Sequence, residues 1–141
     1  MIPDFDQNGH LPAGGHRCTW DEFFSRFRTN HQRACLCEKF AKVLQLARNC
    51  GFLAVLVGGS FATAKEDPRD LDLTWITHPD VTKDTVKPEC RKLMEDSGEV
   101  YGWSMLYLPI NHNEEDIDHW ARELGLCAKT KAIRGTIFLD L

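Results

Sequence analysis

Residues 57–72 read Val57-Gly58-Gly59-Ser60-Phe61-Ala62-Thr63-Ala64-Lys65-Glu66-Asp67-Pro68-Arg69-Asp70-Leu71-Asp72, and they decide how the rest of the chain is read. An apolar run, Phe52 to Val57, leads straight into the glycine pair. Such a short continuous run bounded by glycines suits a strand buried on both faces. Two glycines at a strand end let backbone amides approach an anion, and Ser60 adds a hydroxyl that can also cap a turn. After nine residues, Asp70-Leu71-Asp72 opens a second run, Leu71 to Ile76, of alternating character. Period two puts Asp70 and Asp72 on one side and Leu71, Leu73 and Trp75 on the other. Two neighbouring carboxylates repel, and a hard divalent cation relieves that repulsion. A phosphate cradle beside a carboxylate pair is what Mg²⁺-assisted phosphoryl or nucleotidyl transfer requires.

Outward from this corner the elements alternate. Thr19-Trp20-Asp21-Glu22 is a capping box for a short helix carrying Phe23, Phe24 and Phe27. Asn30 caps a longer helix with Leu36, Phe40, Val43, Leu44 and Ala47 on one face, closed by Gly51. Thr85–Ser97 reads as a helix, Val100–Leu108 as a strand and Thr136–Leu141 as a terminal strand. Asn113 and the acids after it begin a helix with Ile117, Trp120, Ala121 and Leu124 buried, where negative charge suits the helix N-terminus. Residues 1–18 hold the turn signals Asn8-Gly9 and Gly14-Gly15 and read as an N-terminal arm or hairpin before one domain over 19–141. The fold class expected is α/β (α+β), a mixed sheet flanked by helices.

The chain has 141 residues, 17 Lys and Arg against 21 acids, and a net charge of -4, which argues against a general nucleic-acid binder. Six cysteines, at 18, 35, 37, 50, 90 and 127, form no CxxC pair and show no zinc spacing with the histidines. With no apolar run after Met1, no signal peptide is expected, so all six are expected reduced, with no disulfide framework and a cytoplasmic location. No run is apolar enough for a membrane span. His112, His119, Lys39 and Lys42 read as surface residues, Trp75, Trp103 and Trp120 as core, and Lys65 and Arg69 as either phosphate contacts or solvated loop charge.

A hydrophobic strand, Gly-Gly-Ser, nine residues and Asp-x-Asp in a second strand resemble the signature of the polymerase-beta-type nucleotidyltransferase superfamily. The branch most similar is the minimal nucleotidyltransferases of bacterial toxin–antitoxin and phage-defence loci. The layout also resembles an uncharacterised bacterial domain family in that superfamily, through Ile2-Pro3-Asp4-Phe5-Asp6, Leu11-Pro12, Thr19-Trp20 and the segment Arg134 to Leu141. The resemblance implies that Gly58, Gly59, Ser60 and Lys65 hold a nucleoside triphosphate while Asp70 and Asp72 bind two Mg²⁺ ions. Active members add a third carboxylate from a later strand. Here Ser104 stands about where it is expected, leaving Asp140, or else Glu99, as substitute. Two main readings follow: an Mg²⁺-dependent transferase moving a nucleoside monophosphate onto a protein or RNA acceptor such as tRNA, or a degenerate module that binds nucleotide or a cognate toxin or antitoxin. A plain interaction domain with a vestigial pocket is the third.

Overall fold

A computed structural model describes residues 1–94, 102–111, 113–125 and 133–141. In chain order the elements are β1 (Gly15–Arg17), α1 (Trp20–Phe27), α2 (His31–Asn49), β2 (Ala54–Gly58), a 3-10 turn (Ser60–Ala62), β3 (Asp72–Thr77), α3 (Pro88–Met94), β4 (Ser104–Pro109), α4 (Glu114–Leu124) and β5 (Thr136–Asp140). The sheet runs β1-β5-β2-β3-β4. β2 is antiparallel to both β3 and β5, whereas the outer pairs β1–β5 and β3–β4 are parallel. This is the mixed sheet flanked by helices that the element order calls for, and no helix among the described residues is long and apolar enough to cross a membrane.

Alternation along the strands divides the core into two layers. Val55, Val57, Leu73, Trp75, Ile137 and Leu139 join Phe23, Phe27, Phe40, Leu44 and Leu93 of α1, α2 and α3 in one cluster. Ala54, Leu56, Ile76 and Phe138 turn the other way and meet Ile117 and Ala121 of α4. Each central strand is thus buried on both faces, the reason 52–57 reads as unbroken apolar sequence.

Three boundaries differ from expectation. The arm supplies an edge strand, β1, which pairs Gly15 with Thr136 and Arg17 with Phe138. Two glycines hide that strand's propensity in the sequence. α3 starts at Pro88 rather than Thr85, because Thr85 is occupied in a turn with Thr82 (Thr85 N to Thr82 O, 3.1 Å) and proline suits the first helical position. β4 begins at Ser104 and keeps Pro109 opposite Thr77 at its end, on the edge of the sheet where a missing N–H is tolerated.

The cysteine expectation is overturned. Cys50, at the C-cap of α2, and Cys90, on α3, form a disulfide with Cα atoms 5.9 Å apart. Packing α3 against α2 brings together two thiols forty residues apart, and no local spacing encodes that. Cys18, Cys35 and Cys37 are free thiols, and burial pushes those of Cys18 and Cys37 up to about 11. Cys127 lies outside the described residues.

Candidate functional site

The antiparallel β2–β3 pairing sets Gly58 opposite Asp72, so the glycine corner and the acid meet at one end of adjacent strands. The parallel β3–β4 pairing sets Ser104 on the other side of Asp72. Gly59 has φ 67 and ψ -162, and a Cβ placed there would lie 2.0 Å from Asp72 Oδ2. The carboxylate therefore rests directly against the Gly59 backbone, in space that only glycine leaves. After Gly59 the chain makes a 3-10 turn, and Thr63 donates back to the Ser60 carbonyl through its amide (3.2 Å) and its hydroxyl (2.6 Å).

Asp72 faces a cavity of about 240 Å³, also lined by Gly58, Gly59, Thr74, Ser104, Arg134 and Thr136. The oxygens offered here are hard ones, one carboxylate and the hydroxyls of Ser104 and Thr74, whereas the Thr136 hydroxyl turns to the Gly14 carbonyl. That set fits a single Mg²⁺, which commonly takes one or two protein carboxylates and fills its shell with phosphate oxygens and water. Among the described residues no group of three or more His, Cys, Asp or Glu side chains gathers as a metal cluster.

The other expected residues scatter. Asp70 is exposed in the stretch before β3 begins and is not among the residues lining this cavity. Ser60 is half-buried at the head of the 3-10 turn. Lys65 is exposed and lines a different cavity with Arg26 and Arg33. Asp140 pairs with Ala54, at the far end of β2 from Gly58, roughly 13 Å of strand away. There Asp140 accepts a 3.0 Å hydrogen bond from Arg17 Nη1. The antiparallel β2–β5 arrangement carries it away from Asp72. Glu99 and His112 lie outside the described residues.

Two contributors were not singled out from sequence. Arg134 reaches the cavity because Gly125, at the end of α4, accepts a hydrogen bond from the Arg134 amide (2.8 Å), a long-range contact with no local signal. Arg33 had a signal. It stands on the same helical face as Leu36, Phe40, Val43, Leu44 and Ala47, and a cation on an apolar stripe needs internal partners. Arg33 is 3% exposed and donates to the carbonyls of Phe61 (2.9 Å), Thr63 (2.8 Å) and Lys65 (3.1 Å from Nε). Its guanidinium also lies over the Phe61 ring at 4.8 Å. It fastens from within the loop that follows the glycine corner, and burial holds its pKa below the usual arginine value.

The profile of a family described as "Family of unknown function (DUF6932)" matches residues 3–140. No curated protein and no solved structure matches the chain.

Proposed function

The chain belongs to the DUF6932 family, and from that premise we propose that its Gly58–Gly59–Asp72 corner binds the phosphate end of a nucleoside triphosphate together with Mg²⁺. The observation that carries this reading is the seating of the Asp72 carboxylate against the Gly59 backbone beside a cavity of about 240 Å³. Backbone at a glycine pair can approach phosphate oxygens closely, and a carboxylate at that point would repel them unless a cation lay between. Asp72, with the Ser104 hydroxyl nearby, would hold the ion, and the ion would supply charge neutralisation between carboxylate and phosphate. Arg134, on the same cavity wall, adds positive charge for a phosphate tail.

Binding without transfer is the favoured form of this reading. The neighbour of Asp72 on β4 is Ser104 rather than an acid, and Asp140 is engaged with Arg17 at the other end of the sheet. A nucleophile's proton then has no second carboxylate to accept it among the described residues lining the cavity.

Calorimetry with a nucleoside triphosphate, with and without Mg²⁺, tests the site. The wild type should bind more tightly with Mg²⁺. Asp72→Asn, which keeps the volume and removes one charge, should lose roughly 1–3 kcal/mol of the metal-dependent affinity. Ser60→Ala should lose less. Equal affinity of the wild type and the Asp72 variant would refute the site. Labelled product on any protein or RNA offered would overturn the binding-only form and restore transfer.

A further inference from the structure

A second cavity, of about 450 Å³, lies on the far side of the loop that follows the glycine corner, and its walls carry Arg26, Arg33 and Lys65 against one acid, Glu66. Three cations against one anion leave the lining with an excess of positive charge. Arg33 is the buried one. Its four hydrogen bonds go to the carbonyls of Phe61, Thr63 and, twice, Lys65, so its charge meets dipoles rather than a carboxylate. A guanidinium has five N–H donors, and those four bonds leave one Nη1–H over. Arg26 is held by the Pro3 carbonyl (3.2 Å) and by stacking over the Phe5 ring (4.5 Å). The acid paired with it, Asp4, is fully exposed and 3.9 Å away, a separation at which such a pair contributes little. The N-cap of the 19-residue α2, Asn30, lines the same cavity, so the positive end of that helix dipole lies beside it.

A buried charge without a carboxylate partner is costly, and an oxyanion arriving from solvent offsets that cost. We infer that this cavity is a binding site for a small phosphate monoester, held by Arg26, Arg33 and Lys65 independently of Mg²⁺ and of Asp72. Three cationic groups around one cavity suit a doubly charged tetrahedral group better than a carboxylate, which carries one charge on two oxygens.

The test is titration of the intact chain with inorganic phosphate at low ionic strength without Mg²⁺, followed by NMR chemical shifts. The wild type should bind saturably, with the largest shifts at residues 26–33 and 63–66. The double variant Arg26→Gln/Lys65→Gln should lose about tenfold or more in affinity, and acetate should bind the wild type about tenfold more weakly than phosphate. Asp72→Asn should bind phosphate as the wild type does, which separates this site from the glycine corner. The single variants Arg26→Gln and Lys65→Gln, each expected to weaken binding, serve if the double variant does not fold. No saturable binding by the wild type, or unchanged affinity in these variants, would overturn the site. Acetate as tight as phosphate would overturn its assignment to phosphate.

Discussion

Gly59 carries the tightest constraint in the candidate site. Its φ of 67 and ψ of -162 lie in a region essentially confined to glycine. The missing Cβ is also what gives Asp72 Oδ2 its place. Gly59→Ala should therefore cost on the order of 1–3 kcal/mol from the backbone alone, with a further loss as Asp72 is displaced. Urea unfolding should show a lower midpoint at unchanged m-value, and triphosphate binding should weaken in parallel. A variant as stable as the wild type would show that the corner relaxes freely and that glycine is not required. Gly58 differs, since a Cβ there meets Thr136 Cγ2 at an ordinary 3.6 Å. That the pair ends a buried strand was legible in the sequence, but which of the two glycines is obligatory was not.

Helix caps show how local signals and long-range contacts combine within one element. α1 has both halves of its capping box: the Glu22 amide donates to Thr19 Oγ1 (3.2 Å), and the Thr19 amide to Glu22 Oε2 (2.8 Å). α2 has Asn30, whose Oδ1 accepts from the Arg33 amide at 2.9 Å. Asn30 has a second task, because its Nδ2 donates to the Glu66 carbonyl and ties the helix start to the loop beyond the glycine corner. Thr19→Ala should cost about 1 kcal/mol, the usual scale of a lost cap. Asn30→Ala should cost about 2 kcal/mol, a cap plus one net hydrogen bond. Paired chemical denaturation of the two variants checks the ordering, and equal losses would mean that the Glu66 tie contributes nothing. Both caps follow from a polar residue standing before an apolar period. The tie to Glu66 spans 36 positions and has no such pattern.

Across the whole molecule, the Cys50–Cys90 disulfide closes a forty-residue segment that contains β2, β3 and the Gly59–Asp72 contact between them. Restricting the unfolded chain over that length is worth about 4 kcal/mol in the chain-entropy view of cross-links. Cys90→Ser, or reduction of the native protein, should lower stability by that order. Thermal unfolding with and without a dithiol, with mass spectrometry of the linked peptide, checks both the bond and its effect. An unchanged unfolding temperature on complete reduction would place the stability of this region in packing alone. Cys90 is 2% exposed beside Leu93 and Met94 on α3, so a serine there also buries a hydroxyl, and reduction is the cleaner of the two measurements.

The sequence by itself determined what depends on neighbours a few residues apart. Alternation in 71–76 put Leu71, Leu73 and Trp75 on one face, where they join the layer under α1 and α2, and the continuous run before Gly58 marked a strand covered on both faces. Capping residues marked helix starts, and the glycine pair marked where β2 gives way to a turn. Tertiary structure decided everything that depends on which strands pair and in which direction. Antiparallel pairing of β2 with β3 brought Asp72 to Gly59, while antiparallel pairing of β2 with β5 sent Asp140 to the opposite end of the sheet. The same strand order placed Ser104 beside Asp72 and turned residues 15–17 into an edge strand, while the packing of α3 against α2 joined Cys50 to Cys90. The physical reason is common to all of these. Side-chain periodicity specifies the face a residue presents, but the partner across a hydrogen-bonded ladder or a helix contact is selected by burial summed over the whole core, which no local window of sequence contains.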